Sequence, residues 1–250
     1  MQKTILNDPS IRLEIKTFSE FTRTDMASWV AACNIAYNFN SGQKVLLKYS
    51  NAPLETYFCL LYQNEELKAS YSGFNFNFRG LKGFLSTDTF SLFPRGTTIM
   101  GEHLYAFLKD CEFDVVCGWP NKQIERLRQK FLGWQYIDRK NVYFVYPKIS
   151  KNSTVLSDVG PFSRSHGQFF SRRDFGLFYA IDNRTTISCM KYRGFGISMG
   201  NLNKNFVHIQ IPNYSKLFGY RPLVEGKSAD IGLKMNQLFS IADLSWIDVP

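Results

Sequence analysis

The residues with the clearest chemical potential lie in one turn, Pro94-Arg95-Gly96-Thr97-Thr98, between an apolar strand and an amphipathic helix. The strand is predicted over residues 83–93 and the helix over 99–109, where apolar side chains recur at helical spacing. The first turn of a helix has backbone N–H groups without intrahelical partners, and a glycine beside them lets an anion approach closely. The threonine hydroxyls would add donors. We therefore expect this turn to bind a phosphate or pyrophosphate.

A carboxylate lies inside the strand that precedes this turn. Alternation along the strand places Asp88 on the same face as Phe84, Phe90 and Leu92. A carboxylate on such a face would be desolvated, which suits a general base that removes a proton from an amine. The alternative is structural, with Asp88 bonded to threonine or backbone groups at a β-bulge.

A second strand and helix follow. Residues 113–119 form a continuous apolar run, as expected of a central strand buried on both faces. A proline ends the run, and Asn121 is placed to cap a helix that stops at Gly133. Two further strands, 134–139 and 142–146, are predicted with a tight turn between them. The expected fold is α/β, a mixed sheet flanked by helices.

Resemblance to the GNAT superfamily of acetyl-CoA-dependent N-acetyltransferases is carried by three runs, LSTDTFSLFPRG, VVCGWPN and FLGWQYI. It covers roughly residues 40–146 and is nearest to a divergent bacterial branch. Its most specific parts are Pro120-Asn121 and Leu132-Gly133-Trp134. The resemblance implies that the fourth and fifth strands splay apart, that pantetheine lies in the gap, and that the pyrophosphate rests on the turn after the fourth strand.

The resemblance also implies which residues form the site. The positions that would bind the coenzyme are Leu92, Phe93, Arg95, Gly96, Thr97, Thr98 and Asn121. Backbone groups at the end of the strand would contact pantetheine, the turn would hold the phosphates, and the asparagine would lie near the thioester. Asp88 is the candidate base, and Tyr143 is a candidate proton donor to the leaving sulfur.

The expected function is acyl-CoA-dependent N-acyl transfer, with acetyl-CoA as the acyl donor and direct transfer to an amine. An amino sugar or a nucleotide-linked amino sugar is the expected acceptor class. One alternative is a binding protein of the same fold that has lost turnover, favoured by Thr98, Met100 and Arg128 at positions where the family has glycines and a catalytic tyrosine. The other is aminoacyl transfer of the peptidoglycan-bridge type.

Composition narrows the function classes. The chain has 30 Lys and Arg against 21 Asp and Glu, a net charge of +9 that suits an anionic ligand such as coenzyme A. No helix-turn-helix, zinc-finger or RNA-binding signature accompanies that charge, so a nucleic-acid partner is not expected. No apolar run reaches the roughly 20 residues of a membrane helix, and the N-terminus lacks the apolar core of a signal peptide. The 5 cysteines have no C-x-x-C spacing, which indicates reduced thiols in the cytoplasm and no metal site.

Domain organisation is predicted in three parts. Residues 1–146 form the GNAT-like domain, which begins with a helix over 18–39, a strand over 43–49 and a hairpin of strands 56–62 and 66–74. A linker rich in Ser, Pro and Gly spans 147–168. Residues 169–250, with strands predicted over 175–181, 186–192 and 206–211 and a helix over 228–241, form either an extension that completes the first sheet or a partial second GNAT-like half. The oligomeric state does not follow from the sequence.

Overall fold

The computed structural model describes residues 2–5, 8–38, 40, 42–50, 55–147, 154–156, 177–182, 185–192, 195–199 and 206–241. These residues form one mixed sheet of twelve strands with helices on both faces. The strands are β1 Gln2–Ile5, β2 Ile11–Thr17, β3 Thr56–Gln63, β4 Glu66–Phe78, β5 Leu81–Ser91, β6 Val115–Gly118, β7 Gln135–Pro147, β8 Thr154–Leu156, β9 Leu177–Asp182, β10 Thr185–Tyr192, β11 Phe195–Met199 and β12 Phe206–Pro222. The helices are α1 Arg23–Tyr37, α2 Gly42–Ser50, α3 Gly96–Asp110, α4 Lys122–Leu132 and α5 Ser228–Ile241, with a 3-10 turn at Phe18–Glu20.

The order of strands across the sheet is β1-β2-β3-β4-β5-β6-β12-β7-β11-β10-β9-β8. Neighbouring strands are antiparallel except β5 and β6, which run parallel. Strand β12 lies between β6 and β7, so it returns from the far end of the chain to the middle of the sheet. Strands β8 to β11 extend the sheet beyond β7. The α/β prediction of a mixed sheet flanked by helices is confirmed.

The two faces of the sheet carry separate apolar cores. On one face α1, α2 and α5 cover a cluster that includes Trp29, Phe58 and Met235. On the other face α3 and α4 cover a cluster that includes Met100 and Leu132. Strand residues supply both clusters alternately, as expected of a sheet buried on both sides.

Most predicted elements are confirmed, and two predictions are wrong. Residues 43–49 form helix α2 instead of a strand, because Val45, Leu46 and Tyr49 have helical spacing and turn one face toward the core. The tight turn predicted at residues 140–141 does not form. Strand β7 runs straight through it, since β12 pairs with β7 on both sides of that point.

The C-terminal third shares the sheet with the N-terminal part. Strand β12 pairs with β6 through Gly219 and Gly118, and helix α5 covers the same face as α1 and α2. Of the predicted linker, only Pro147 and β8 fall within the described residues, so the division at 147–168 stays a prediction. None of the described helices has the length and apolar character needed to cross a membrane.

Close contact between β4 and β5 makes Gly73 a sensitive position. A Cβ there would lie 2.3 Å from the Leu85 carbonyl oxygen and 2.6 Å from the Phe84 ring. We expect Gly73→Ala to lower the free energy of unfolding by about 1–3 kcal/mol through overpacking. Urea denaturation measures this change. Glu66→Ala, at the exposed start of the same strand, is the control and should change stability by less than about 0.5 kcal/mol. Equal stability of Gly73→Ala and the control would contradict the register.

Candidate active site

Strand β5 extends beyond its parallel neighbour β6 at their carboxyl ends, and the edge of β5 that is left unpaired there, residues 87–91, is called the gap. The two parallel strands pair from Gly83 with Val115 to Ser86 with Gly118, where β6 ends. Strand β5 continues to Ser91, and beyond Ser86 no described strand pairs with this edge of it. Unpaired backbone groups at the carboxyl ends of parallel strands are a common place for ligands to bind. The pairing covers the whole of β6, so the divergence of the two strands expected from the resemblance stays a prediction.

A β-bulge interrupts β5 beside this gap. Asp88 has a φ of 42°, in the left-handed region, and the register with β4 shifts between the pairs Ser70–Phe90 and Ser72–Thr87. The extra residue breaks the alternation that the sequence predicted. Phe84 consequently lies in the core under α3 and α4, whereas Phe90 lies in the core under α1 and α2. The prediction that Asp88 shares one face with both of them is wrong.

Asp88 faces helix α2 and is 8% exposed. The Tyr49 hydroxyl donates a hydrogen bond to its carboxylate. The hydroxyls of Thr87 and Ser72 lie 3.0 and 3.1 Å from the same tyrosine oxygen, and the Tyr49 ring stacks on Phe74 at 4.6 Å. A buried, oriented carboxylate is the arrangement that a general base needs. The structural alternative, in which Asp88 only bonds neighbouring groups at the β-bulge, is consistent with the same contacts.

Tyr49 is a site residue that the sequence prediction missed. The sequence analysis predicts a strand over residues 43–49, which includes this tyrosine. The signal that locates it is the spacing of Val45, Leu46 and Tyr49, which is that of one helix face.

Arg128 approaches the same stretch of β5 from the opposite face. It lies on α4 and is 3% exposed. Its Nη2 donates to Ser86 Oγ at 2.7 Å and to Thr89 Oγ1 at 3.2 Å. The segment from Ser86 to Thr89 therefore carries a carboxylate on one face of the sheet and contacts a guanidinium on the other.

The end of β5 lies at the rim of the gap. Leu92 is 39% exposed, and Phe93 is half-buried. The Leu92 amide donates to the Lys68 carbonyl at 2.8 Å, and the Phe93 amide donates to Ser91 Oγ at 3.2 Å. Both N–H groups thus have acceptors within the chain, and the Phe93 carbonyl oxygen accepts from Ser91 Oγ at 2.7 Å and from the Gly96 amide at 3.0 Å.

The turn that follows begins α3 at Gly96, with Arg95 as an exposed N-cap at a φ of 58°. The Gly96 and Thr98 amides donate to the carbonyls of Phe93 and Arg95, both at 3.0 Å. Thr97 is buried, so its hydroxyl does not face solvent, whereas Thr98 is half-buried. Within the described residues, the amides of Arg95 and Thr97 have no such backbone acceptor.

Gly96 in the turn and Met100 in the helix that follows it both have structural roles. A Cβ at Gly96 would lie 2.3 Å from Ser91 Oγ, so the chain itself requires glycine there. Met100, which stands where the family has a glycine, is fully buried in the core beneath α3, with Leu104 and Leu132 in the same cluster.

Asn121 and Tyr143 lie at different distances from the gap. Asn121 caps α4, where its Oδ1 accepts from the amides of Gln123 and Ile124 at 3.1 and 3.0 Å. Its Nδ2 remains as the group for a ligand.

Tyr143 is half-buried on β7. Strands β6 and β12 lie between β7 and β5, so β7 and β5 are about 14 Å apart at ordinary strand spacing. The sheet order does not bring Tyr143 to Asp88, and its role as a proton donor stays a prediction.

A groove of about 700 Å³ lies away from this gap. It is lined by Glu102, Lys109, Arg221 and Glu225, among others, along the middle and carboxyl end of α3. The turn that begins α3 does not contribute to it. In the part of the chain that the structure describes, no group of three His, Cys, Asp or Glu side chains is placed to hold a metal ion.

Comparison with known proteins identifies the fold. No protein-family profile and no curated protein sequence matches the chain. A GCN5-related N-acetyltransferase from Anabaena variabilis matches with a TM-score of 0.54 at 7% identity, covering 84% of this chain and 73% of that one. One from Kribbella flavida matches with 0.53 at 8%, covering 87% and 72%. A candidate acetyltransferase from Pyrococcus horikoshii matches with 0.53 at 11%, covering 87% and 91%. The chain has the GNAT fold.

The bulge makes a prediction about backbone strain at Asp88. Asparagine tolerates a left-handed φ and keeps an oxygen for the Tyr49 hydroxyl. Alanine is less stable in the left-handed region and has no side-chain acceptor. We expect Asp88→Asn to remain within about 1 kcal/mol of wild type and Asp88→Ala to lose about 2 kcal/mol more. Urea unfolding of the three proteins checks the order. Equal stability of the two variants would place residue 88 outside the left-handed region.

Proposed function

We propose that this protein is an acyl-CoA-dependent N-acyltransferase that moves an acetyl group from acetyl-CoA directly to an amine. The observation that carries the proposal is the gap between β5 and β6, which begins after Ser86 and Gly118. The buried carboxylate of Asp88 lies on this unpaired stretch of β5. The GNAT fold supports the same reading, since the solved structures that share it include proteins named as N-acetyltransferases.

In this proposal the coenzyme enters across the rim of β5. Pantetheine runs beside the backbone of Leu92 and Phe93, and the phosphates lie against the turn of Arg95, Gly96, Thr97 and Thr98. Arg95 is exposed, and the positive end of α3 begins beside it. Asn121 at the amino end of α4 would lie near the thioester. The net charge of +9 favours approach of this anionic donor.

The chemical step needs a neutral amine. Asp88 takes a proton from the acceptor nitrogen while that nitrogen attacks the thioester carbonyl. Tyr49 holds the carboxylate in place through its hydroxyl. Direct transfer fits better than a covalent intermediate, because Cys117 on β6 is fully buried and burial raises the pKa of its thiol.

The acceptor proposed is a small amine, with an amino sugar or a nucleotide-linked amino sugar as the class to test first. Residues 74–78, Phe-Asn-Phe-Asn-Phe, alternate aromatic side chains with amides, but they do not supply a stacking surface for a sugar. Phe74 and Phe76 are buried in the core under α1 and α2, and Phe78 packs against it. The sugar class therefore rests on the bacterial branch that the sequence resembles.

A second candidate function is coenzyme binding without turnover. It is favoured by the amides of Leu92, Gly96 and Thr98, which already have acceptors in the chain, and by arginine at position 128. A binding protein of this kind would hold acetyl-CoA and release no thiol.

Calorimetry with acetyl-CoA, followed by a thiol-release assay over a panel of amines, separates the two functions. We expect binding and turnover for wild type. Asp88→Asn should keep coenzyme affinity and lower kcat by about 10²- to 10⁴-fold, because the base is lost while the fold is kept. Tyr49→Phe, which keeps the carboxylate, is the matched control and should lose less. Binding without thiol release on any amine would favour the second function, and absence of binding would contradict both.

Arg95→Glu tests the phosphate site. We expect coenzyme affinity to fall by about tenfold or more, because a favourable charge contact becomes repulsive. Calorimetry at low and high salt measures the loss, which should shrink as salt rises. Lys227→Glu, an equal charge change beside the start of α5, is the control and should leave affinity nearly unchanged. Equal affinity of Arg95→Glu and wild type would move the phosphate site elsewhere.

A further inference from the structure

The groove of about 700 Å³ lies on the α3 and α4 face of the sheet, at the edge opposite the candidate active site. It follows the end of β12, where Pro222 pairs with Val115, the first residue of β6, and the Leu223 amide donates to the Asp114 carbonyl at 2.8 Å. The gap beside Asp88 begins at the other end of β6. A cavity of this volume is large enough for one small molecule. The groove is therefore a second place for a ligand, separate from the gap.

Four charged side chains line the groove, and two of them neutralise each other. Lys109 Nζ lies 3.3 Å from Glu225 Oε1, and both side chains are exposed. Glu102 is exposed on α3, where water and salt screen its charge. The fourth charge is the half-buried guanidinium of Arg221. Among the described residues, no carboxylate lies within ion-pair distance of it.

Arg221 is held so that one edge of its guanidinium is open to the groove. Its Nη1 donates to the Leu132 carbonyl at 2.9 Å, at the end of α4, and its Cζ lies 5.1 Å from the centre of the Tyr105 ring. Its Nε and Nη2 have no acceptor in the part of the chain that the structure describes, and neither is shut off from water. A Cβ at Gly133 would lie 3.9 Å from Nε, so the glycine that ends α4 leaves this edge uncovered.

The open edge of Arg221 has a definite chemical preference. Nε and Nη2 lie side by side, and two parallel N–H donors on a planar cation match the two oxygens of a carboxylate. Capping the end of α4 uses Nη1 alone. The other two nitrogens are therefore available for a ligand.

Apolar side chains form much of the rest of the groove. Tyr105 and Leu223 are buried there, and Ala106 and Val224 also line it. Phe131 contributes a ring that is 56% exposed. Contact with a ligand would remove this apolar surface from water, which is favourable. The groove thus combines one oriented cation with an apolar wall.

We propose that this groove binds a small carboxylic acid with an apolar body. The carboxylate pairs with Nε and Nη2 of Arg221, and the body lies against Val224 and Phe131. A single negative charge fits better than a phosphate, because the glutamates that line the groove repel a second charge more strongly. The inference goes beyond the proposed function, since the groove and the gap lie at opposite ends of β6.

Titration of the wild-type protein with 3-phenylpropionate and with 3-phenylpropionamide tests the inference, because the two probes have nearly the same shape and only the acid is charged. NMR of the arginine Nε–H groups measures the affinity and identifies the residue. We expect a Kd of about 1 mM for the acid, a shift of the Arg221 signal, and binding at least about tenfold weaker for the amide. Phenyl phosphate should also bind more weakly than the acid.

Three results of that titration would overturn the inference. They are equal affinity for the acid and the amide, tighter binding of phenyl phosphate than of the acid, and no binding of the acid at about 10 mM.

Arg221→Lys assigns the binding to this side chain. Lysine keeps the positive charge beside the end of α4 but has no pair of parallel donors, so we expect affinity for the acid to fall about tenfold. Arg126→Lys, the same exchange at an exposed position of α4, is the matched control and should bind the acid like wild type. Equal affinity of Arg221→Lys and wild type would show that Arg221 only caps α4 and would overturn the inference.

Phe131→Ser tests the apolar wall at an exposed position, where the change leaves the core intact. We expect affinity for the acid to fall about threefold, because less apolar surface is buried on binding. Unchanged affinity would contradict the contact with the apolar body. Should Arg221→Lys not fold, this variant and the comparison of acid with amide on wild type decide.

Acetyl-CoA at saturating concentration separates this inference from the proposed function. We expect it to leave the affinity for 3-phenylpropionate unchanged, because Lys109 in the groove lies about 20 Å beyond Gly96 along α3. Competition between the two ligands would place the acid in the gap and overturn the inference. Failure of the protein to bind acetyl-CoA would contradict the proposed function and not this inference.

Discussion

Four residue pairs hold β5 against β6, and the candidate site depends on the pairing ending there. The last pair joins Ser86 to Gly118, where a Cβ would lie only 2.8 Å from the Ser86 carbonyl oxygen. Trp119 and Pro120 then lead the chain away from the sheet, and proline has no N–H to continue a ladder. Because β12 pairs with the other edge of β6 up to Gly118, β6 remains fixed, while β5 continues to Ser91 paired with β4 on its other edge. The sheet is therefore continuous up to Gly118, and one edge of β5 is unpaired beyond that point.

The bulge at Asp88 turns this gap into two different chemical environments. In an uninterrupted strand, residues 86, 88 and 90 would face the same way. The left-handed φ at Asp88 instead directs Thr87 and Asp88 toward α2, while Ser86 and Thr89 contact α4 through Arg128. Backbone strain at such a position persists only where the surroundings hold it, and here Tyr49 and Ser72 do so.

Strand β12 pairs with β6 in the middle of the sheet and contributes to the core on the face where Asp88 lies. Strand β12 brings α5 to the same core as α1 and α2, and Trp119 packs against Phe218 of β12 at 4.8 Å. Phe239 of α5 lies 6.1 Å from the same indole. Trp119 Nε1 is buried without an acceptor, directly after the end of β6. The C-terminal third of the chain thus contributes to the core on the face where Asp88 lies, although it is remote in sequence.

Local sequence determined the elements that bound the site. Apolar spacing located α3 and α4, a continuous apolar run located β6, and Asn121 marked the cap of α4, because each of these signals is set by a residue's own neighbours. The runs LSTDTFSLFPRG, VVCGWPN and FLGWQYI also indicated the GNAT fold, through their resemblance to that family. These features require no knowledge of what lies across the sheet.

Tertiary structure alone decided which side chains meet. Alternation could not foresee the bulge, because a bulge is defined by the register with the neighbouring strand β4. Helix α2 was mistaken for a strand, since a short apolar run fits both periods until a partner face selects one. The contact of Tyr49 with Asp88 and the contacts of Arg128 with Ser86 and Thr89 follow from packing between elements far apart in the chain. A one-dimensional pattern records which residues are apolar, whereas the site depends on which of them face one another.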